Sequence, residues 1–314
     1  MRTMSAPLRI RVPGSTSNLG PGFDLLGLAL EIELVVTCHL GTEGRPHELV
    51  EREGTAKEWP TTPDNLVFQC FDRVFAERGL ERIGCSFAVS SEIPLARGLG
   101  SSGAACAAGL LLANAIHVDR RAPLESDALV RLGVELEGHP ENSTASLLGG
   151  AVLCLPERDG HVHVVSQPIA PSLQFIVAWP ETRISTHEAR HVLPKQVAFE
   201  AAVENPRRLA LLLEGLRTGA AALIRAGIED GLHVPYRLPL IPGGAEALNA
   251  AREAGAAGTT ISGSGSAVVA ITHETAAEAV ESALSRTLGT PDGKTVVRRL
   301  PPVLEAPRVR PVEG

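Results

Sequence analysis

From residue 94 the chain reads Pro94-Leu-Ala-Arg-Gly-Leu-Gly-Ser-Ser-Gly-Ala104, two glycines and two serines leading into a run of small residues. Any fold built on this stretch must accommodate a tight loop joined directly to a helix that its neighbours can approach closely. Glycine lets the backbone turn sharply with its N–H groups pointing inward. The helix predicted over 101–116 aims its free N–H groups and positive dipole end at the same point. An anion is the expected occupant. The loop is not a Walker A motif, which needs Lys directly after its second Gly, whereas Gly100 is followed by Ser101 and Ser102. The three lysines of the chain, Lys57, Lys195 and Lys294, stand away from any Gly-rich turn. Taken alone, the segment reads equally well as a small-residue helix packed against a neighbour.

A chain of 314 residues, 44% of them apolar, can bury a substantial core and is expected to form two domains, 1–167 and 168–314, with 168–171 as the linker. No stretch approaches the roughly 20 consecutive apolar residues of a membrane span, and the N-terminus runs into a strand-like segment without a secretory hydrophobic region. A cytoplasmic protein is the expectation. Cys38, Cys70, Cys85, Cys106 and Cys154 are odd in number, widely spaced and set in apolar segments, as reduced core thiols are. Net charge is −7 and the arginines are dispersed, which argues against nucleic acid as a partner.

Apolar alternation predicts strands at 8–12, 26–40, 85–91, 151–155, 161–165, 173–179, 267–272 and 295–300, with 151–165 a hairpin. Helices are expected at 65–78 behind an Asp64 cap, at 101–116 and 126–137, and around 186–192, 196–204, 206–226, 245–254 and 276–288. Strands mixed with pairs of helices in both halves point to an α+β protein. The Pro-rich tail after Leu300 is expected to be loosely held.

Three segments, in order, resemble the motifs of the GHMP kinase superfamily (galactokinase, homoserine kinase, mevalonate kinase, phosphomevalonate kinase). They are Val12-Pro-Gly-Ser-Thr-Ser-Asn-Leu-Gly-Pro-Gly-Phe-Asp24, the 94–104 loop, and Thr260-Ile-Ser-Gly-Ser-Gly-Ser266. Within that superfamily the chain is similar to the homoserine kinases, through Asn18-Leu-Gly-Pro-Gly-Phe-Asp24, Glu137-Gly-His-Pro-Glu-Asn142, Ser185-Thr-His-Glu-Ala-Arg190 and Asp230-Gly-Leu-His-Val-Pro-Tyr-Arg237. The resemblance covers about residues 8 to 300. It implies a nucleotide-binding α/β N-terminal domain, a ferredoxin-like C-terminal domain, and ATP-dependent phosphorylation of the homoserine hydroxyl in threonine biosynthesis. The partners it implies are homoserine, ATP and Mg2+, with a homodimer left open and no membrane or nucleic acid. Three departures stand out: Gly103 where Ala is commoner, Glu141 where Asp is usual, and Ser264-Gly265-Ser266 in place of Ala-Gly-Pro.

A kinase must neutralise triphosphate charge, hold magnesium and place an acceptor oxygen in line with the γ-phosphorus. The phosphate site is expected from Pro94, Leu95, Ala96, Arg97, Gly98, Leu99, Gly100, Ser101, Ser102, Gly103 and Ala104. Asn65 and Leu66 are expected on the nucleoside side. Magnesium prefers oxygen ligands, and Glu135 and Glu137, two apart on a helix, point about 200° apart, so at most one faces the site. Glu135, on the side that carries Ala128 and matching the family's metal ligand, is the expected one, together with Ser101. Arg190 and Arg237 are the expected clamp on the acceptor carboxylate, because a guanidinium offers it two parallel hydrogen bonds. Asp24 is then expected to meet the ammonium group, with Asn18, His139 and Asn142 as neutral partners. Thr186 orients the acceptor or else caps the 187–192 helix. Glu141 is the candidate general base, although the resemblance also allows the acceptor proton to leave through the γ-phosphate. Two competing readings are a kinase of another small alcohol, which leaves the paired arginines without a partner, and a catalytically silent ligand sensor, which leaves the complete phosphate loop without a use.

Overall fold

The computed structural model describes residues 6–116, 122–290 and 293–312. The first half is organised by one long strand. β1 (Leu8–Asn18) alternates Leu8, Ile10 and Val12 against Arg9 and Arg11, then becomes buried throughout. It runs antiparallel to β2 (Gly22–Glu43), a 22-residue strand whose other edge pairs first with β5 (Ala151–Pro156) and then with β4 (Ile83–Ser91). β5 continues into the hairpin partner β6 (Val162–Gln167), and β3 (Glu48–Gly54) lies parallel to β4 at the sheet edge.

Helices α1 (Leu66–Glu77), α2 (Ser101–Ala115), α3 (Ser126–Glu137) and α4 (Glu141–Leu148) complete this half. α2 is central because eleven of its fifteen residues are Ala, Gly or Leu and ten of the fifteen are buried. Its small residues admit neighbouring backbones. A Cβ on Gly109 would lie 2.4 Å from the Val67 carbonyl oxygen of α1, and one on Gly103 would lie 2.8 Å from the Asn142 carbonyl carbon of α4.

In the second half, β7 (Leu173–Pro180), β8 (Gly258–Ile261), β9 (Val268–His273) and β10 (Thr295–Arg299) form an antiparallel sheet in the order β10-β7-β9-β8. Alternation assigns its two faces. Phe175, Val177, Val269 and Ile271 join the core shared with α6 (Phe199–Thr218) and α7 (Ala221–Gly227). Ile176, Ala178, Val268 and Ala270 pack with α9 (Gly244–Glu253) and α10 (Glu274–Thr287). Two short helices, α5 (Thr186–His191) and α8 (Val234–Arg237), carry site residues. The α+β reading therefore holds in both halves.

Several expectations are corrected. The tail is not loose: Glu31 N–H donates to the Pro301 oxygen, Val303 N–H to Ala29 and Gly150 N–H to Val303, and β11 (Arg310–Pro311) pairs with β1. An extended Pro-rich chain satisfies backbone groups of β1, β2 and the 149–150 turn that the other strands leave open. Residues of the second half thus complete the first sheet. Asn65, not Asp64, caps α1, its side chain accepting from Val67 N–H. The pattern broken at Pro206 hides a single helix, since α6 runs through that proline and stops at Gly219 in a left-handed conformation.

Candidate active site

The 94–104 loop is held from both halves of the chain. Gly98 and Gly100 adopt φ of 74° and 69°. A Cβ on Gly98 would lie 2.0 Å from the Ser262 carbonyl oxygen, and one on Gly100 would lie 2.1 Å from Ser15 Oγ. Only glycine fits either position. Ser15 N–H donates to the Leu99 oxygen at 3.1 Å and Ala267 N–H to the Arg97 oxygen at 3.0 Å. The Arg97 guanidinium is used inside the fold, donating to the carbonyls of Leu95, Pro180 and Glu181. Gly100 caps α2 without any side-chain hydrogen bond. The first-turn N–H groups of α2 are therefore left for a ligand.

This loop forms one wall of a cleft of about 440 Å³, a volume suited to small-molecule ligands. Asn65 and Leu66 line it beside Trp59, Pro60 and Asp64. Asn18, Asp24, His139, Asn142, Thr186, Arg190 and Arg237 also line it, so residues up to 219 positions apart in sequence meet around one space. The turn after β8 ties them together. Asn18 Nδ2 donates to the Gly263 oxygen at 2.9 Å, Arg237 Nη1 to the same oxygen at 3.2 Å, and Ser262 Oγ to Thr16 Oγ1 at 2.8 Å.

The two arginines differ in environment. Arg190, half buried, makes a two-pronged contact with Asp24, Nη1 to Oδ2 at 2.9 Å and Nη2 to Oδ1 at 2.8 Å. Arg237 is only 2% exposed. Its donors reach the carbonyls of Ala189 and Gly263, and burial, reinforced by the charge of Arg190, lowers its pKa to about 10. Asp24 and Arg190 thus neutralise each other, while among the described residues no carboxylate is in hydrogen bond with Arg237. A ligand bearing both an ammonium and a carboxylate matches this set.

Asn142 is fixed on three sides: Oδ1 accepts from Ser15 Oγ at 2.9 Å, and Nδ2 donates to Ser17 Oγ at 3.0 Å and to Glu141 Oε1 at 2.9 Å. Thr186 is exposed in the cleft, and Ser185 takes the capping role by accepting from Glu188 N–H. Asn65 lines the cleft with its side chain already committed to Val67 N–H and the Pro60 oxygen.

Glu135 does not face the cleft. It lies 44% exposed between Arg131 and Arg73, at 2.6 and 3.2 Å. The buried face of α3 is set by Leu129, Val130, Leu132 and Gly133, and Glu137, four residues beyond Gly133, continues that face, whereas Ala128 and Glu135 follow its flank. Both Glu137 carboxylate oxygens are buried without a hydrogen bond of standard geometry, and Ser102 and Ser143 are their polar neighbours. Burial raises the pKa of Glu137, and the nearby His139 and serines partly offset it.

Glu141 is also buried, and burial raises its pKa. It sits behind Asn142 with Oε2 unpartnered and does not line the cleft, so the position expected of a general base is not reached. Gly103 and Ala104 are likewise packing residues rather than cleft residues. Sequence reasoning missed Trp59, Ser17 and Ser185, all of which line the cleft. One usable signal was Trp59, one of two tryptophans, standing before Pro60 ahead of the α1 cap.

The family of GHMP kinases matches in both halves, the N-terminal domain over residues 65–150 and the C-terminal domain over residues 212–290. The cleft thus belongs to a class of proteins that share this two-part architecture. The homoserine kinase of Prochlorococcus marinus (strain MIT 9303) is 42% identical over 277 residues, covering 88% of this chain and 86% of that protein. That of Synechococcus sp. (strain CC9605) is 41% identical over 276 residues, covering 88% and 87%. The crystal structure of homoserine kinase from Cytophaga hutchinsonii superposes with a TM-score of 0.87 at 28% identity, covering 99% of each chain. The chain belongs to the homoserine kinase family of GHMP kinases.

Proposed function

We infer that this protein transfers the γ-phosphoryl group of ATP to the hydroxyl of L-homoserine, giving ADP and O-phospho-L-homoserine on the route to threonine. One observation carries the reading: a single cleft joins the uncapped start of α2 and its glycine loop to Asp24, Arg190 and Arg237, a set matched to an amino acid. The named relatives support it. Residues 1–167 supply the nucleotide wall, and 168–314 supply the two arginines and the 262–266 turn. A cytoplasmic location fits this metabolic role, and among the described residues no helix is long and apolar enough to cross a membrane.

In this reading the N–H groups of Ser101 and Ser102 meet phosphate oxygens, and the 59–66 segment meets the nucleoside. The substrate ammonium takes over Asp24, which frees Arg190 to join Arg237 on the substrate carboxylate. Thr186 and Asn142 hold the hydroxyl toward the phosphorus, where positioning accounts for most of the acceleration. The new O–P bond forms as the β–γ bridging bond breaks, and the hydroxyl proton leaves on a phosphoryl oxygen, since Glu141 lies behind Asn142.

Magnesium fits the residues present, because Glu137, just behind the cleft lining, offers two buried carboxylate oxygens without standard hydrogen bonds beside Ser102, which lines the cleft together with Ser101. When bound, it would draw charge from the phosphate oxygens. The test is ADP release with homoserine, threonine, serine, mevalonate, galactose and homoserinol, whose carboxyl group is reduced to an alcohol. Homoserine is expected to exceed each by about 10²-fold or more in kcat/KM, since a site built around a charged group rejects acceptors that leave it unpaired. Equal turnover of homoserinol would refute the amino-acid reading and favour an uncharged alcohol.

A further inference from the structure

Phe23, at the start of β2, does not line the cleft, yet it touches the groups that shape the acceptor end. Its ring stacks on the buried His233 imidazole at 5.0 Å between centroids and 24° between planes. The Arg237 guanidinium carbon stands over the same ring at 4.9 Å from its centroid, and that of Arg190 at 5.8 Å. Both lie within the roughly 6 Å over which a ring face attracts a cation.

Two like charges sharing one ring need an explanation. Arg190 has Asp24, but among the described residues the donors of the buried Arg237 reach only carbonyl oxygens and His233 Nδ1. Asp24, Glu141 and Asp230 act on that buried charge from a distance, and the electron-rich ring face is in direct contact with it. His233 in turn fixes the ring, its Nε2 lying 2.7 Å from the Gly20 oxygen in the turn that leads into Phe23.

We propose that Phe23 is a positioning residue for the acceptor carboxylate: its ring holds the Arg190 and Arg237 guanidinium groups at a fixed separation, and so sets the preference for an amino-acid acceptor over an uncharged alcohol. The proposal rests on the carboxylate clamp inferred above and adds the element that sets its geometry. An apolar filler of equal volume would leave the two charges free to separate and the acceptor carboxylate less well matched.

The test replaces Phe23 by 4-fluoro-, 3,5-difluoro- and 3,4,5-trifluorophenylalanine, which keep the shape and progressively weaken the negative ring face. With homoserine, kcat/KM is expected to fall stepwise, to about tenfold at the trifluoro ring, while KM for ATP stays constant. Phe23→Leu should lose about as much, Phe23→Tyr should retain activity, and turnover of homoserinol should not follow the series. Binding of L-2-aminobutyrate, which has the ammonium and carboxylate but no hydroxyl, is measured by calorimetry over the same variants. It should weaken in parallel, and this readout stands whether or not homoserine is phosphorylated. Failure of the native protein to release ADP with homoserine would sink the functional reading alone. A flat response to fluorination in L-2-aminobutyrate binding, or an equal fall for homoserinol, would overturn the role of the ring.

Discussion

Glu135→Gln and Glu137→Gln are expected to separate stability from activity in opposite ways. Glu135 makes two exposed ion pairs, with Arg131 and Arg73. Such pairs contribute about 0.2–1 kcal/mol each, so Glu135→Gln should cost about 1 kcal/mol of stability and leave turnover nearly unchanged. Glu137 presents two buried carboxylate oxygens without standard hydrogen bonds. An unsatisfied buried group costs about 1–3 kcal/mol, and more when charged. The neutral amide carries less of that penalty, so Glu137→Gln should be at least as stable as the native protein, by about 1 kcal/mol or a Tm gain of about 1–2 °C. Its kcat should fall by about 10²–10³, the scale on which removing one group that stabilises transition-state charge is felt. Urea denaturation gives the first quantity and coupled ADP release gives the second. The reasoning fails if Glu137→Gln keeps kcat within about threefold of the native value, or if Glu135→Gln proves the more damaging of the two.

His233 gives a pH prediction. Burial lowers its pKa below the ordinary 6.5, so the unfolded chain takes up a proton before the folded one does, and this residue withdraws stability as pH falls below 6.5 toward the folded value. His233→Gln should therefore gain in Tm relative to the native protein as pH drops from 7 to 5, and a pH-independent difference would refute the account. Deleting residues 301–314 should cost about 3–4 kcal/mol in urea denaturation, from four backbone hydrogen bonds at about 1 kcal/mol each. A loss below about 1 kcal/mol would mean that the tail is held loosely after all.

The parts of the fold legible in the sequence are those where periodicity, caps and burial agree. α3 spans the predicted residues without an offset, and β7, α9 and β10 fall within a residue of expectation. β3 was missed because Glu-Leu-Val-Glu-Arg-Glu-Gly is charged and almost wholly exposed, and only its backbone pairing with β4 makes it a strand. α4 was missed because it begins after Pro140 without a side-chain cap and its small polar residues are buried by packing. At the site, motif spacing located the loop, Asp24 and both arginines. It could not tell that Glu135 is exposed and Glu137 turned inward, because that depends on which face of α3 the core takes. Nor could it show that Asp24 and Arg190 engage each other, a contact across 166 positions.

The pairing of β11 with β1 bears on the order in which the molecule assembles. The first strand of the chain meets the last one at Arg9 and Arg310, a separation that local collapse cannot bridge early. On a ribosome, β1, β2 and β4 can assemble long before residues 301–312 emerge, so the sheet waits with one border open while the entire second half is synthesised. During that interval the exposed border of β1 can accept a foreign strand. Arg9 and Arg11, whose side chains point outward there, place charge on it where an apolar pair would invite association.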